Sequence, residues 1–315
     1  MQQDDFIISY SRNIRRNSIE SEFESEVSRF LCEIWNDNSI LDEYPHNQKL
    51  VVHGMGIKSN PEISIIKGLN RDTHRLHRIF EANLNSLECG NEPAVIFGNC
   101  CDEDCQLTYN QLNQTANQLA AVLLNRISTS ELEPNSDGDW IIGVCMPPSD
   151  ELIITLLAIL KTGAAYLPID VKFPRSRIDH ILRETEPTLV IYDNDAVGRS
   201  LFCNANASSY SFFKGLLMDH EDTNISDARK LQSASGGHLA LVLYTSGSTG
   251  VPKGVRLSHA ALMNRLQWQW ETFPYSSTES IGIFKTALTF VDSISEIWGP
   301  LLTKRAILVV SKSAT

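Results

Sequence analysis

The sequence predicts an α/β fold in which helices cover both faces of a largely parallel sheet. Short, nearly all-apolar segments rich in β-branched residues alternate along the chain with segments whose apolar residues recur at helical spacing. Strands made of continuous apolar residues are typical of parallel sheets that are buried on both faces. At 315 residues, the chain is long enough to bury the core that such a fold requires.

The elements begin with a helix predicted over Thr73–Leu87 and a short strand, Ala94–Phe97, after a turn marked by Gly90 and Pro93. A strong helical pattern then covers Tyr109–Leu124. Beyond it, strands are predicted at Ile141–Met146, Ala165–Leu167, Leu189–Tyr192, Leu239–Thr245, Ile281–Phe284 and Ile307–Val310. The helices between them are predicted at Ser149–Lys161, Arg175–Glu184, Ser258–Trp270 and Ile294–Leu302.

The helix over Ser258–Trp270 begins with a residue whose hydroxyl can cap the first turn. We interpret the adjacent His259 as structural rather than catalytic. Trp268 and Trp270 lie on opposite sides of this helix, and we expect at least one of them in the core.

Two segments depart from the α/β pattern. Residues from Asn194 to Gly237 are polar and weakly patterned, which favours an exposed insertion. Residues 1–60 are rich in Asn, Asp and Ser, and one amphipathic helix is predicted over Ile19–Trp35. That helix could bind a partner, but packing on its own domain is the favoured interpretation. We therefore expect an N-terminal extension at 1–60, partly helical or mobile, followed by a domain at 61–315.

Charge and composition exclude several function classes. A formal net charge of −11 argues against a nucleic-acid partner. No run of about 18 apolar residues predicts a membrane span, and Met1–Arg16 lacks the apolar core of a secretory signal. Seven irregularly spaced cysteines do not form a disulfide framework, so a cytoplasmic location is expected. Cys100, Cys101 and Cys105 match no common zinc spacing and are interpreted as loop cysteines. The sequence leaves the residues that would bind a metal unassigned.

The most informative segment runs from Leu243 to Val255. An apolar strand leads into a run of glycines, serines and threonines, then a lysine, and then toward a helix. Glycines let the backbone approach a ligand closely. Exposed amides and hydroxyls can donate to phosphate oxygens, and Lys253 adds a positive charge. The P-loop of mononucleotide-binding ATPases requires Ser or Thr after its lysine, whereas Gly254 follows here. An ordinary Ser/Gly turn is the alternative, and the length of the run disfavours it.

This segment resembles the signature loop of the adenylate-forming superfamily, which includes acyl-CoA synthetases, luciferases and the adenylation domains of nonribosomal peptide synthetases. Three other segments resemble further motifs of that family, in its order. They are Leu107–Leu112, Leu160–Asp170 in the form typical of peptide-synthetase domains, and Phe290–Ser293. The resemblance implies the large N-terminal domain of the adenylate-forming fold, with largely parallel sheets flanked by helices.

A narrower resemblance is to the β-alanyl-amine synthetases of insects. It rests on Pro134–Asp139, Val144–Met146, Asn264–Trp270 and Phe284–Ser293, and it extends from about Ile63 to Val310. The sequence departs from the family at Lys304-Arg305, where a glycine normally occupies the turn before the next strand.

The resemblance implies a reaction and its cofactors. ATP, with Mg²⁺, would activate an amino acid, β-alanine above others, as an acyl-adenylate with release of pyrophosphate. The acyl group would pass to phosphopantetheine on a downstream carrier domain, and then to a biogenic amine such as dopamine or histamine chosen by a further domain. By the same resemblance, the residues that bind the ATP phosphates are Thr245, Ser246, Gly247, Ser248, Thr249, Gly250, Lys253 and Gly254.

The predicted substrate residues are Phe290, Val291, Asp292 and Ser295. In domains that activate α-amino acids, the family places an aspartate directly after the phenylalanine to bind the substrate ammonium. Here Val291 holds that position, Asp292 comes one residue later, and Glu296 keeps the register of the motif's glutamate. The ammonium of β-alanine lies one carbon farther from its carboxylate, so a shifted and buried carboxylate suits it. The alternative is an α-amino-acid pocket with a local insertion.

Motifs that the family carries after this region were not found. They include the adenine and ribose motifs, the hinge, a late catalytic lysine and a carrier-domain serine. We therefore expect a truncated adenylation domain, incomplete at its C-terminus, with no certain catalytic residue and no activity of its own. An α-amino-acid adenylation domain, an acyl-CoA synthetase and a non-catalytic binding fragment remain alternatives.

Overall fold

The computed structural model describes residues 75–85, 88–97, 106–233, 239–245, 251–276 and 278–310. These residues form ten strands and eight α-helices arranged around two sheets. The helix predicted over Ile19–Trp35 and the cysteines at 100, 101 and 105 lie outside the described residues, as does the boundary proposed near residue 60.

The first sheet has four strands in the order β2-β1-β10-β9. They are β1 (Pro93–Phe97), β2 (Gln106–Thr108), β9 (Ile281–Phe284) and β10 (Ala306–Val309). β10 pairs in parallel with both β1 and β9, and β2 pairs antiparallel to β1. This sheet therefore joins strands from the two ends of the described chain.

The second sheet has six strands in the order β6-β5-β3-β4-β7-β8. They are β3 (Ile141–Cys145), β4 (Ala165–Pro168), β5 (Leu189–Tyr192), β6 (Ala207–Ser209), β7 (Leu239–Thr245) and β8 (Lys253–Ser258). All neighbours are parallel except the pair β7–β8. The largely parallel α/β arrangement predicted from the sequence is confirmed, with two sheets.

The described residues form eight α-helices, of which six lie close to their predicted positions and two, between residues 195 and 214, were not predicted. They are α1 (Leu76–Asn85), α2 (Tyr109–Thr129), α3 (Asp150–Thr162), α4 (Arg175–Thr185), α5 (Asp195–Leu201), α6 (Tyr210–Lys214), α7 (His259–Thr272) and α8 (Asp292–Leu301). Hydroxyls of Thr108, Ser149 and Ser258 accept hydrogen bonds from the first turns of α2, α3 and α7. Gly163 ends α3 in the left-handed conformation, at φ 91°. None of the described helices is long and apolar enough to cross a membrane.

The core is centred on α3, whose residues from Leu152 to Thr162 are all buried. A helix that is apolar on all sides has to be surrounded by protein. One cluster of buried side chains joins it to both sheets, through Val95 and Ile307 of the first and Ile142 and Leu241 of the second. This shared core fixes the two sheets relative to each other, and with them the loops at their strand ends.

The segment predicted as an exposed insertion, Asn194–Gly237, is exposed at most of its described residues, but it also contributes elements to the fold. This segment contributes α5, α6 and β6, and β6 pairs in parallel with β5 at the edge of the second sheet. Tyr210 and Phe213 of α6 are buried in the core. The elements are too short to produce a clear periodicity, and β6 consists only of Ala-Ser-Ser, so its pairing rests on backbone hydrogen bonds.

The departure at Lys304-Arg305 is accommodated without a glycine. Lys304 adopts φ 61°, in the left-handed region where glycine is favoured. The Arg305 amide donates to the Pro300 carbonyl at 3.0 Å, the bond that closes a helix end around a left-handed residue. The lysine therefore keeps the geometry of the turn, with backbone strain at one residue.

Candidate phosphate-loop and substrate site

The predicted phosphate loop joins two antiparallel strands. β7 ends at Thr245, β8 begins at Lys253, and these two residues are cross-strand partners. Ser246, Gly247, Ser248, Thr249 and Gly250 lie outside the described residues, so the structure places the two ends of the loop. β7 is buried along its first half and exposed at Thr245, which brings both ends of the loop to the surface.

A strand, rather than a helix, follows the loop. The sequence interpretation led from the loop directly toward a helix, but β8 intervenes before α7 begins at His259. The alternation of half-buried Val255 and Leu257 with exposed Arg256 is the signal that identifies such a strand. The two ends of the loop, Thr245 and Lys253, are therefore held by the pairing of β7 with β8.

Lys253 is available to a ligand. Its side chain is exposed, and its ammonium group has no hydrogen bond or ion pair with any residue that the structure describes. Thr245, on the neighbouring strand, is also exposed. A free cation and a hydroxyl on either side of a Gly/Ser/Thr-rich turn fit the chemistry of an anionic phosphate.

Gly254 supports the hairpin by its small size. It pairs with Tyr244 across the two strands, and a Cβ atom at Gly254 would lie 3.1 Å from Tyr244 Cζ. The Tyr244 hydroxyl lies 2.8 Å from Oγ1 of Thr185, at the end of α4. The tyrosine ring is thus held between α4 and the glycine backbone, which leaves little room for a larger residue at 254.

Arg256 ties β8 to a turn that precedes β3. Its guanidinium contacts Oδ2 of Asp137 at 2.6 Å and also the carboxylate of Asp139, which is buried. Oδ1 of Asn135 accepts from the amides of Asp137 and Asp139 at 3.1 and 2.9 Å, which fixes this turn. A buried carboxylate needs a charged or hydrogen-bonding partner, and Arg256 supplies one. Sequence reasoning singled out Pro134–Asp139 only by resemblance and missed this pairing.

The four predicted substrate residues lie together where α8 begins. Phe290 and Val291 are exposed in the preceding turn, Asp292 is the first residue of the helix, and Ser295 is half-buried one turn later. Residues three apart share one face of a helix, so Asp292 and Ser295 are neighbours there. The Oγ atom of buried Ser293 donates to the Phe290 carbonyl at 2.6 Å and tightens this turn.

The expected burial of Asp292 is wrong for the described chain. Its side chain is exposed and has no hydrogen bond or ion pair with any described residue. The first residue of a helix projects from the end of the element, where the partial positive charge of the helix stabilises a carboxylate without burial. Asp292 is therefore an accessible anion rather than part of a closed pocket among these residues.

Glu296 holds the segment that leads to Asp292. Its carboxylate accepts from the amides of Lys285 and Thr286 at 3.0 and 2.9 Å and from the Thr286 hydroxyl at 2.7 Å. These three bonds fasten the chain after β9 to α8. The sequence aligned Glu296 with the motif's glutamate but did not show what it does.

The two groups of residues come from different sheets. The loop ends belong to the β7–β8 hairpin of the six-stranded sheet, and the start of α8 follows β9 of the four-stranded sheet. α7 comes directly after β8 and packs against α8, which connects the groups. Within α7, Trp270 is buried and Trp268 is half-exposed, as expected.

His259, the first residue of α7, has the structural role that was expected. It is buried, and its Nδ1 atom accepts a hydrogen bond from the Leu76 amide at 3.3 Å. Its ring meets the edge of His77, with centroids 5.8 Å apart. These contacts fasten α7 to α1.

The chain is similar to curated proteins that assemble peptides without the ribosome. Residues 84–315 match the family of AMP-binding enzymes. The chain is 48% identical over 264 residues to the β-alanyl-bioamine nonribosomal peptide synthetase ebony of Drosophila melanogaster, covering 82% of this chain and 30% of that protein. It is 32% identical over 238 residues to tyrocidine synthase 1 of Brevibacillus parabrevis, covering 75% of this chain and 20% of that protein. The chain thus spans less than a third of the length of these relatives.

Solved structures share the fold. The N-terminal subdomain of Klebsiella oxytoca NpsA in complex with 3-hydroxybenzoyl-AMSN matches with a TM-score of 0.58 at 25% identity, covering 75% of this chain and 54% of that one. An artificially fused adenylation–PCP di-domain from the same organism, NpsA-ThdA, matches with a TM-score of 0.59 at 25% identity, covering 75% and 42%. The expectation of the N-terminal part of the adenylate-forming fold is confirmed.

Proposed function

The chain belongs to the AMP-binding enzyme family, and we propose that it takes part in the ATP-dependent activation of an amino acid as an acyl-adenylate. The observation that carries the proposal is the pairing of Thr245 with Lys253. Thr245, at one end of the Gly/Ser/Thr-rich segment, is exposed and carries a hydroxyl group. Lys253, at the other end, is exposed, and its ammonium group has no partner among the described residues.

In the proposed reaction, a carboxylate oxygen of the amino acid attacks the α-phosphorus of ATP. The new oxygen–phosphorus bond forms as the bond to the β-phosphate breaks, and its electron pair leaves with pyrophosphate. Little covalent chemistry is left to the protein, so catalysis consists of positioning the reactants and stabilising the phosphate charge. Lys253 would contribute a positive charge beside the departing pyrophosphate, and Thr245 a hydroxyl donor.

Mg²⁺ is part of the proposal as the counter-ion of the ATP phosphates. Within the ranges that the structure describes, no three His, Cys, Asp or Glu side chains gather as a metal site. Mg²⁺ is commonly held by one or two carboxylates together with substrate phosphates, so a preformed cluster of protein ligands is not needed.

We propose β-alanine as the amino acid. The similarity to ebony supports this substrate, and so does the position of Asp292 one residue after the place that the family's α-amino-acid domains use. With the substrate carboxylate directed at the α-phosphorus, the distal ammonium is the only other charged group by which the protein can recognise it. Asp292 is an accessible anion without a competing cation among the described residues.

The later steps of the proposal come from the relatives. The acyl group would be transferred to phosphopantetheine on a carrier domain and then to a biogenic amine such as dopamine or histamine. The name of the Drosophila relative, a β-alanyl-bioamine nonribosomal peptide synthetase, supports a β-alanyl group and an amine acceptor in this proposal. A cytoplasmic location is part of the same proposal, supported by the free thiols of Cys145 and Cys203.

The test is ATP–pyrophosphate exchange by the intact protein with β-alanine, α-alanine, a simple fatty acid or no acid. We expect β-alanine to support exchange about tenfold or more above α-alanine, because an ammonium that is misplaced by one carbon loses a charge-assisted bond. A preference for α-alanine would overturn the substrate but keep adenylation. Thioester formation on coenzyme A would favour an acyl-CoA synthetase, and ATP binding without exchange by any acid would favour a non-catalytic role.

A further inference from the structure

We propose that His180 is a positioning residue for Lys253, the residue at which β8 begins after the predicted phosphate loop. The expected effect on ATP binding depends on the proposed function. The positioning itself rests on contacts between α4 and the β7–β8 hairpin.

His180 lies in α4, and its Nε2 atom is 3.0 Å from the carbonyl oxygen of Pro252. A carbonyl can only accept, so the Nε2–H group is the donor. Proline has no amide hydrogen, which makes this carbonyl the only backbone group of Pro252 that can form a hydrogen bond. His180 therefore supplies the polar contact that anchors Pro252 from outside the hairpin.

Anchoring this carbonyl also orients Lys253. The carbonyl of Pro252 and the amide nitrogen and Cα of Lys253 belong to one planar peptide unit. When His180 fixes the direction of the carbonyl, it fixes the plane from which the Lys253 side chain projects. The backbone of Lys253 is also held by its pairing with Thr245 on the neighbouring strand. The position of the lysine is thus determined from two sides.

A second contact from α4 supports the other strand of the hairpin. The His180 ring meets the Tyr244 ring edge-on, with centroids 6.3 Å apart and planes at 85°. The Tyr244 hydroxyl is hydrogen-bonded to the hydroxyl of Thr185, which is also on α4, and the Tyr244 ring lies against Gly254. Since α4 reaches both strands next to the loop, it acts as a rigid support for the ends of the loop.

The experiment compares two replacements of His180 in the intact protein. His180→Phe keeps a flat ring beside Tyr244 and removes the donor, whereas His180→Gln keeps an N–H donor at a similar reach. His220→Phe is the matched control, because the His220 ring makes no hydrogen bond or ring contact with the residues that the structure describes. The readouts are the KM values for ATP and for β-alanine in pyrophosphate exchange, and hydrogen–deuterium exchange of peptides covering Val251–Arg256.

We expect His180→Phe to raise the KM for ATP about three- to tenfold, the effect of one lost hydrogen bond. The KM for β-alanine should stay within about twofold, and His180→Gln should restore most of the ATP effect. Deuterium uptake over Val251–Arg256 should rise in the Phe variant and not in the Gln or His220 variants. Equal effects of Phe and Gln, or equal changes in both KM values, would overturn the proposal. If the wild-type protein shows no exchange, the proposed function fails, and deuterium uptake alone then decides whether His180 positions the hairpin.

Discussion

The ammonium group of Lys161 lies 2.6 Å from a carboxylate oxygen of Glu81, and both side chains are buried. The same ammonium donates to side-chain oxygens of Asn113 and Asn224, at 2.9 and 3.1 Å. Burial lowers the pKa of Lys161 to about 8, while the charge of Glu81 and the hydrogen bond to it oppose that change. At neutral pH Lys161 is therefore charged, and its contact with Glu81 joins α1 to α3 within the core.

Lys161→Met should destabilise the protein by about 3 kcal/mol, the lower end of the range for breaking a buried ion pair. It removes the buried cation of Glu81, whose carboxylate then keeps only the partly exposed guanidinium of Arg78, 3.4 Å away. Replacing both partners, as Lys161→Met with Glu81→Leu, should recover much of that loss, since neither charge of this pair then remains buried and unmatched. Chemical denaturation of the wild type, both single variants and the double variant measures the coupling. Strictly additive losses would show that the pair is not coupled.

The stability of the protein should fall as the pH drops below about 6.5, and His77 is one cause. Burial, followed by the charges of Lys230, His259, Lys161 and Arg78, holds the pKa of His77 well below its usual value. The folded state therefore keeps His77 neutral, whereas the unfolded chain binds a proton below about pH 6.5. The stability contributed by His77 is present above that pH and is lost as the pH falls, by up to about 1.4 kcal/mol per unit.

The measurement is the free energy of unfolding between pH 7 and pH 5 for the wild type and His77→Gln. The variant should lose less stability over this range, because its side chain does not titrate. His220→Gln is the control and should follow the wild type. Identical slopes for wild type and His77→Gln would contradict the assignment.

Lys304→Gly should stabilise the protein by about 0.5–1 kcal/mol. Lys304 holds φ 61°, which costs a residue with a Cβ atom about 1–2 kcal/mol, and glycine removes that strain while adding entropy to the unfolded chain. Thermal unfolding should show a higher Tm. Lys304→Ala retains the strain and should not raise the Tm, so a gain by both variants would point to the loss of the lysine side chain instead.

Lys253→Ala should lower kcat/KM for ATP about ten- to a hundredfold in pyrophosphate exchange by the intact protein. One charge-assisted contact contributes about 1.5–3 kcal/mol. The Lys253 ammonium contacts no other group among the described residues, so the variant should not break a contact within that part of the protein. The KM for β-alanine should change little. Lys172→Ala, which removes another exposed lysine, is the control and should leave both parameters unchanged. A change limited to β-alanine would contradict the phosphate role.

Asp292→Asn should remove most exchange that depends on β-alanine and leave ATP binding intact. Asp292 is exposed in the described chain, so we expect the loss of one charge-assisted bond, about ten- to a hundredfold in kcat/KM for β-alanine. Asp195→Asn is the matched control, since Asp195 is likewise the exposed first residue of a helix, α5. Normal β-alanine kinetics in Asp292→Asn would contradict the proposal that the shifted carboxylate binds the substrate ammonium.

The same argument predicts a change of specificity when the acid is moved back by one position. Val291→Asp with Asp292→Ala places the carboxylate where the family's α-amino-acid domains have it. Exchange with α-alanine should then exceed exchange with β-alanine, whereas the wild type should prefer β-alanine. Both substrates are measured side by side in each protein, so a general loss of activity is distinguished from a switch.

Local patterns predicted the parts of the fold that depend on local chemistry. Alternating apolar runs and helical periodicity located most of the observed elements to within a few residues, and the hydroxyl of Ser258 correctly marked the start of α7. The sequence likewise predicted phosphate-binding residues at Thr245 and Lys253 and substrate residues at the start of α8, and these roles stay predictions. The strands β2, β6 and β8 and the helices α5 and α6 were missed. β2 and β6 have only three residues each, α5 and α6 have seven and five, and β8 is partly exposed and directly follows the glycine-rich turn.

What supports the site was decided by the tertiary structure. His180 and Pro252 are 72 residues apart, and Arg256 and Asp139 are 117 apart, yet each pair is in contact. Hydrophobic periodicity determines which residues form a strand or helix and which face is buried, because those depend on near neighbours in the chain. It does not determine which strands become neighbours in a sheet, and so it cannot bring distant side chains together. The sequence by itself determined an α/β chain and predicted a phosphate loop and a shifted acid, and the packing of two sheets around α3 decided which residues hold Lys253 and the start of α8 in place.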